Sequence, residues 1–195
     1  MNRGIWIVLF ALLLTGCKAW DPSDISQQKN PIAPKLLALE PKVDDLANKI
    51  IATNNFETTL FNKEVEDNLT DPYGEKYGYI TLKRNILSIR PGWGFYALSI
   101  LTATIANLFG MPFMVLRLKS EVEIRIMDKN NRLIGKYSAI GESKSIAAYY
   151  YGYAIPIAYI KCCVEAENDA FSKIRPLIQA DVSRVNDKLK EAGKL

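Results

Sequence analysis

Chemistry needs groups that trade protons, attack electrophiles or hold metals, and this chain is short of them. It contains no histidine. That removes the commonest general base, the commonest zinc ligand and every Ser-His or Cys-His nucleophile pair. Three cysteines remain, Cys17, Cys162 and Cys163. Adjacent cysteines rarely bridge each other, because the ring they would close is strained. Cys162 and Cys163 therefore read as reduced, small apolar filler in a helix, with intermolecular bridging or metal binding as the lesser readings. Among the acids, Glu121, Glu123 and Glu142 invite a catalytic role, since paired carboxylates divide acid and base work when their surroundings separate their pKa values. Residues two apart on a strand share a face, however, and the charged outer face of a half-buried sheet accounts for these glutamates without catalysis. No nucleophile elbow, phosphate loop or metal-ligand cluster accompanies them. The expectation is a non-enzyme with no catalytic residue, no metal site and no cofactor-binding site. A carboxylate-dependent hydrolase or transferase is the lesser alternative.

Cys17 belongs to a different context. Residues 1–16, MNRGIWIVLFALLLTG, begin with a short basic region at Arg3 and continue as an apolar run from Ile5 to Leu14. Such a run spans about 15 Å as a helix, half of a bilayer core of about 30 Å, which is the anatomy of a secretory signal peptide. The run ends in Leu14-Thr15-Gly16-Cys17, which resembles the bacterial lipobox: a leucine, two small residues and a cysteine. The resemblance covers the first 17 residues. It implies that a diacylglycerol is attached to the Cys17 sulfur and that signal peptide 1–16 is removed. It also implies that the new amino terminus receives an N-acyl chain such as palmitate. Cys17 would then be the lipid-attachment site and would hold the protein to a lipid bilayer, since two or three acyl chains anchor stably where one is marginal. On the same resemblance the address is the bacterial cell envelope. Lys18, rather than an aspartate, follows the cysteine and favours the outer membrane, and the sparse Asp21 and Asp24 favour its periplasmic face.

The 195 residues are 49% hydrophobic and 24% charged, enough for one ordinary globular domain behind a tether. The net charge of +4 is spread along the chain rather than gathered in a basic stripe, so no nucleic-acid partner is expected. Residues 17–34 hold the lipidated cysteine and a proline-rich, polar, flexible tether. Residues 35–195 read as a single α+β domain. A short strand is predicted at 35–41, a helix at 43–54, a turn at Asp71-Pro72-Tyr73-Gly74 and a strand over 77–91. A β-hairpin is predicted over about 117–142. Val122, Ile124 and Ile126 lie on one face, Glu121, Glu123 and Arg125 on the other, and Asp128 to Asn131 supply the turn before Leu133, Tyr137 and Ala139. From Ala158, apolar residues at Ile160, Val164, Phe171, Ile174 and Ile178 mark a long amphipathic helix, continued by Val182, Val185 and Leu189. Pro176 must kink this helix or begin a second one. The fold class is α+β, with a small mixed or antiparallel sheet, the long C-terminal helix and an apolar, helical insertion at about 93–115.

That insertion lies in residues 91–116, which carry no charge. As one helix, 95–116 would extend about 33 Å, enough to span. Ser99, Ala103, Ala106 and Gly110 would form a small-residue stripe, with Trp93 and Tyr96 placed for an interfacial belt. Gly110-Met111-Pro112 interrupts the run, and Ser99, Thr102, Thr104 and Asn107 bring polarity into it. Three readings stand: a buried or hairpin-like element packed on the domain, an element that dips into a membrane or docks on a partner, and a transmembrane helix at 95–116. The last would make an inner-membrane protein held by lipid plus helix. A second patch, residues 146–159, is rich in tyrosine. Trp93, Tyr96, Tyr149, Tyr150, Tyr151 and Tyr153 together form the expected interaction surface.

The hairpin pattern D-x-x-N-R-L-I-x-x-Y-x-A-x-G at 128–141, followed by an alanine-rich helix, resembles the small α+β domains of envelope lipoproteins. These include the CsgG-like and TolB amino-terminal groups. The resemblance spans roughly 119–180 and implies a binding, accessory or assembly role with another envelope protein. A homo-oligomer is compatible with it.

Overall fold

The computed structural model describes residues 29–43, 54–108, 111–148 and 154–195. Cys17, most of the helix predicted at 43–54, and Tyr149, Tyr150, Tyr151 and Tyr153 lie outside the described residues.

In chain order the elements are β1 (Leu39–Val43), α1 (Asn54–Lys63), a π-helical turn (Glu64–Leu69), β2 (Gly78–Gly92), α2 (Trp93–Leu101), α3 (Ile105–Leu108), β3 (Met114–Asp128), β4 (Leu133–Ala147) and α4 (Ile155–Ala192). The strands form one mixed sheet in the order β1-β2-β3-β4, with β1 parallel to β2 and the other pairs antiparallel. This is the expected α+β class. The β3–β4 hairpin is as the alternation predicts, but longer, because Met114 and Val115 pair with Ala147 and Ile146. Its turn is held by Asp128, whose Oδ1 accepts the Asn130 and Arg132 N–H groups at 2.8 Å each. Asn131 sits at φ 60°, a left-handed conformation that asparagine tolerates better than most residues.

The sheet is two-faced. Val122, Ile124 and Ile126 are fully buried on the inner face, against Phe171, Ile174, Ile178, Val182, Val185 and Leu189 of α4. Each such side chain contributes roughly 1.5–3 kcal/mol by leaving water. The helix approaches so closely that a Cβ at Gly141 would stand 1.8 Å from the Ala166 carbonyl oxygen. Its side chains also cap the open edge of β4. Asp169 Oδ2 accepts the Glu142 N–H at 2.8 Å, Lys173 Nζ donates to the Ile140 carbonyl at 2.8 Å, and Arg184 donates to the Ile134 carbonyl at 3.3 Å. An edge so occupied is a poor template for a further strand.

Two alternatives that the sequence leaves open are closed. Pro176 does not begin a second helix: α4 runs as one helix of 38 residues through it. Pro176 cannot donate to the Ser172 carbonyl, but both residues are exposed, so water can serve that oxygen. Nor do residues 95–116 form one transmembrane helix. Ala103 and Thr104 take left-handed φ values of 48° and 64°, which ends α2, and Met114 already belongs to β3. No helix among the described residues is long and apolar enough to cross a membrane.

Candidate interaction surface

Because β2, β3 and β4 are antiparallel, residues in register form rows across the outer face of the sheet. Going along β3, the rows are Thr81–Arg125–Lys136, Lys83–Glu123–Ser138, Asn85–Glu121–Ile140, Ser88–Lys119–Glu142 and Arg90–Arg117–Lys144. Charge is largely compensated through the first four. Glu123 accepts from Arg125 at 2.5 Å and from Lys136 at 2.9 Å, and Lys119 donates to Glu142 at 2.6 Å. Burial opposes ionisation of Glu123, yet hydrogen bonds and charge from Lys136 and Arg125 outweigh it and hold its pKa below the ordinary carboxylate value.

These contacts also place the glutamates considered for catalysis. All three lie on the outer face, but Glu123 and Glu142 are two rows apart, about 14 Å along the strands. Both are tied to cations, as a solvated sheet face requires. Among the described residues no group of three acidic, cysteine or histidine side chains could hold a metal ion. Cys162 and Cys163 are buried in α4. Burial raises the Cys162 thiol pKa, opposed by the Ser143 hydroxyl at 2.9 Å.

The fifth row is different. Arg90, Arg117 and Lys144 are all exposed and stand directly opposite one another on three neighbouring strands. None has an ion-pair partner among the described residues. Like charges directly opposite each other destabilise a sheet. With Ser88, Lys119 and Glu142 they line an open depression of about 530 Å³.

Two residues beyond this row, Gly92 pairs with Val115 and the chain leaves the sheet through α2 and α3. This excursion is held by few polar groups. Ser99 Oγ donates to the Phe95 carbonyl at 2.7 Å, and buried Asn107 donates through Nδ2 to the Met111 carbonyl at 3.0 Å. Trp93 and Tyr96, the two described members of the expected surface, pack edge to face with ring centroids 5.5 Å apart. Nearly everything else apolar here faces water: Trp93 is 67% exposed, Ile100 62% and Leu101 82%, with Leu98, Ile105 and Leu108 also exposed. A helix that is hydrophobic all round is ordinarily buried, and this one is not.

Reading the chain alone finds the excursion and its aromatic pair but misses the cation row. The usable signal is that Arg90 and Arg117 bracket the charge-free run. Only the register reveals that they face each other and Lys144.

No protein-family model matches this chain, and no curated protein matches it. Among solved structures, the crystal structure of a "putative lipoprotein" from Caulobacter crescentus CB15 aligns with 19% identity and a TM-score of 0.27. The alignment covers 59% of this chain and 68% of that one. A likeness at this level carries no argument about the present protein.

Proposed function

We propose that this chain is a lipid-anchored module of the bacterial cell envelope that works by binding at a surface rather than by catalysis. The observation that carries the reading is the excursion. α2 and α3 hold large apolar side chains in water at one end of the sheet, clustered rather than scattered singly, as at interaction sites. The leader ending in Leu14-Thr15-Gly16-Cys17 supports the anchor. On this reading Cys17 carries the diacylglycerol and the N-acyl chain, the outer membrane is the home of the protein, and the domain faces the periplasm. The excursion is its contact surface, and another envelope protein is a partner.

Membrane fractionation with protease protection, together with the intact mass of the peptide beginning at Cys17, tests the anchor and the address. A diacylglycerol mass on Cys17 and a protease-shielded, membrane-bound chain are expected. Unmodified Cys17 in a chain that fractionates away from membranes would sink the reading. A photo-crosslinking residue at Leu101 tests the contact surface. It should give a defined adduct in intact cells, and the absence of any adduct argues against it.

A further inference from the structure

The excursion and the cation row lie next to each other, and their order along the chain names an occupant. Resting on the reading of the excursion as a contact surface, we propose that it docks on the anionic face of a lipid bilayer. α2 and α3 enter the boundary between headgroups and acyl chains, and Arg90, Arg117 and Lys144 hold lipid phosphates.

Three observations favour a leaflet over a protein. The first is the order of chemistries. Arg90 comes first, then the Trp93–Tyr96 pair, then Leu98, Ile100 and Leu101, which is the sequence of phosphate, interface and hydrocarbon met on entering a bilayer. The row and the base of the excursion are two residues apart, about 7 Å, and interfacial helices immerse by about 5–10 Å. The second is the circumference of α2. A helix seated in a protein groove presents one stripe of anchors at i, i+3, i+4 and i+7. Every residue of α2 except Ser99 is exposed, and hydrocarbon alone is indifferent to which side of a helix it meets. The third is the row itself. Three cations aligned against their mutual repulsion, on a face whose other rows are largely compensated, have a structural cost that bound phosphates remove. The nine residues of α2 extend about 14 Å, so the contact stays within one leaflet.

The test uses the mature sequence from residue 17 with Cys17→Ser, so that no acyl chain contributes, and with Trp20→Phe, which leaves Trp93 as the reporting tryptophan. Vesicles of phosphatidylethanolamine with phosphatidylglycerol should bind it, and phosphatidylcholine vesicles should bind it far more weakly. Brominated acyl chains should quench Trp93. Arg90→Gln/Arg117→Gln/Lys144→Gln should weaken partition on the order of 100-fold, and added salt should weaken the parent likewise. Leu101→Asp should abolish quenching while the urea midpoint holds, because Leu101 is exposed. Unquenched Trp93, or equal binding by the triple variant, overturns the proposal. If vesicles fail but the Leu101 photo-crosslinker captures a protein in cells, the bilayer assignment falls and the binding-surface reading survives. If both fail, both fall.

Discussion

Arg175 and Glu64 meet as a buried two-pronged pair, Nε donating to Oε1 at 2.7 Å and Nη2 to Oε2 at 2.8 Å. Asn68 Nδ2 adds a third bond to Oε2 at 2.7 Å. The pair joins the π-helical turn to the middle of α4, so removing one charge strands the other away from water. Arg175→Ala should cost roughly 3–5 kcal/mol, and the double variant Glu64→Leu/Arg175→Met should cost less than that single change. Urea denaturation of the three proteins measures both. Equal midpoints for Arg175→Ala and the parent would show that the pair is not closed in solution.

Gly141 gives a sharper case, because its neighbour is backbone. A Cβ there would overlap the Ala166 carbonyl and stand 2.9 Å from the Ala170 amide nitrogen, and neither can rotate away. Gly141→Ala should lower stability by at least about 1–3 kcal/mol, although alanine suits a strand better than glycine does. A thermal midpoint unchanged or raised would mean that α4 stands further from β4 than described.

Acid should act through Asp181. Hydrogen bonds from Arg184 and then from Tyr137, whose hydroxyl lies 2.7 Å away, depress its pKa to about 2. A carboxylate that is more acidic folded than unfolded stabilises the fold above its unfolded pKa of about 3.9. That contribution fades as pH falls through the folded value. The stability difference between the parent and Asp181→Asn should therefore be constant above about pH 5 and shrink between about pH 4 and pH 2. A difference independent of pH over that window would exclude the linkage.

Thiol chemistry should be silent in the native state. Cys162 is 1% exposed and Cys163 8%, and burial raises the Cys162 thiol pKa, away from the reactive thiolate. Iodoacetamide at pH 8 should label neither until urea unfolds the chain. Rapid native labelling of Cys162 would imply frequent opening of α4 from the sheet.

The parts legible from the chain are those set by local periodicity. β3 announces itself because Val122, Ile124 and Ile126 alternate with charge, and α4 because its apolar stripe repeats over many turns. Boundaries fail where tertiary pairing decides them. The first strand, expected at 35–41, instead occupies Leu39–Val43, because parallel pairing begins where Leu39 meets Gly78, while Leu36 only bridges to Thr70. The start of β3 at Met114 is hidden in the charge-free run, where a strand and a helix have the same apolar composition. α4 starts at Ile155, before the expected Ala158, because Pro156 suits the first helical turn. The cation row is invisible for a different reason. It joins residues 27 positions apart on either side of an irregular excursion, and no local pattern encodes that register.

The length of α4 sets how the molecule can sit if both proposed attachments act together. The excursion lies at the N-terminal end of this helix, where Leu116 and Ala147 pack with Ala158 and Cys162. The described chain enters beside its middle, where the Asn30 N–H donates to Asn68 Oδ1 next to the Glu64–Arg175 pair. Those two regions are separated by roughly 25 Å of rigid helix. The covalent chain from Cys17 to Lys29 reaches about 40 Å only when drawn straight. An upright molecule would hold that leash at more than half its full reach, whereas one lying lengthwise along the leaflet leaves it slack. The molecule would be moored at bow and amidships, with a leash long enough to let it tilt against the leaflet.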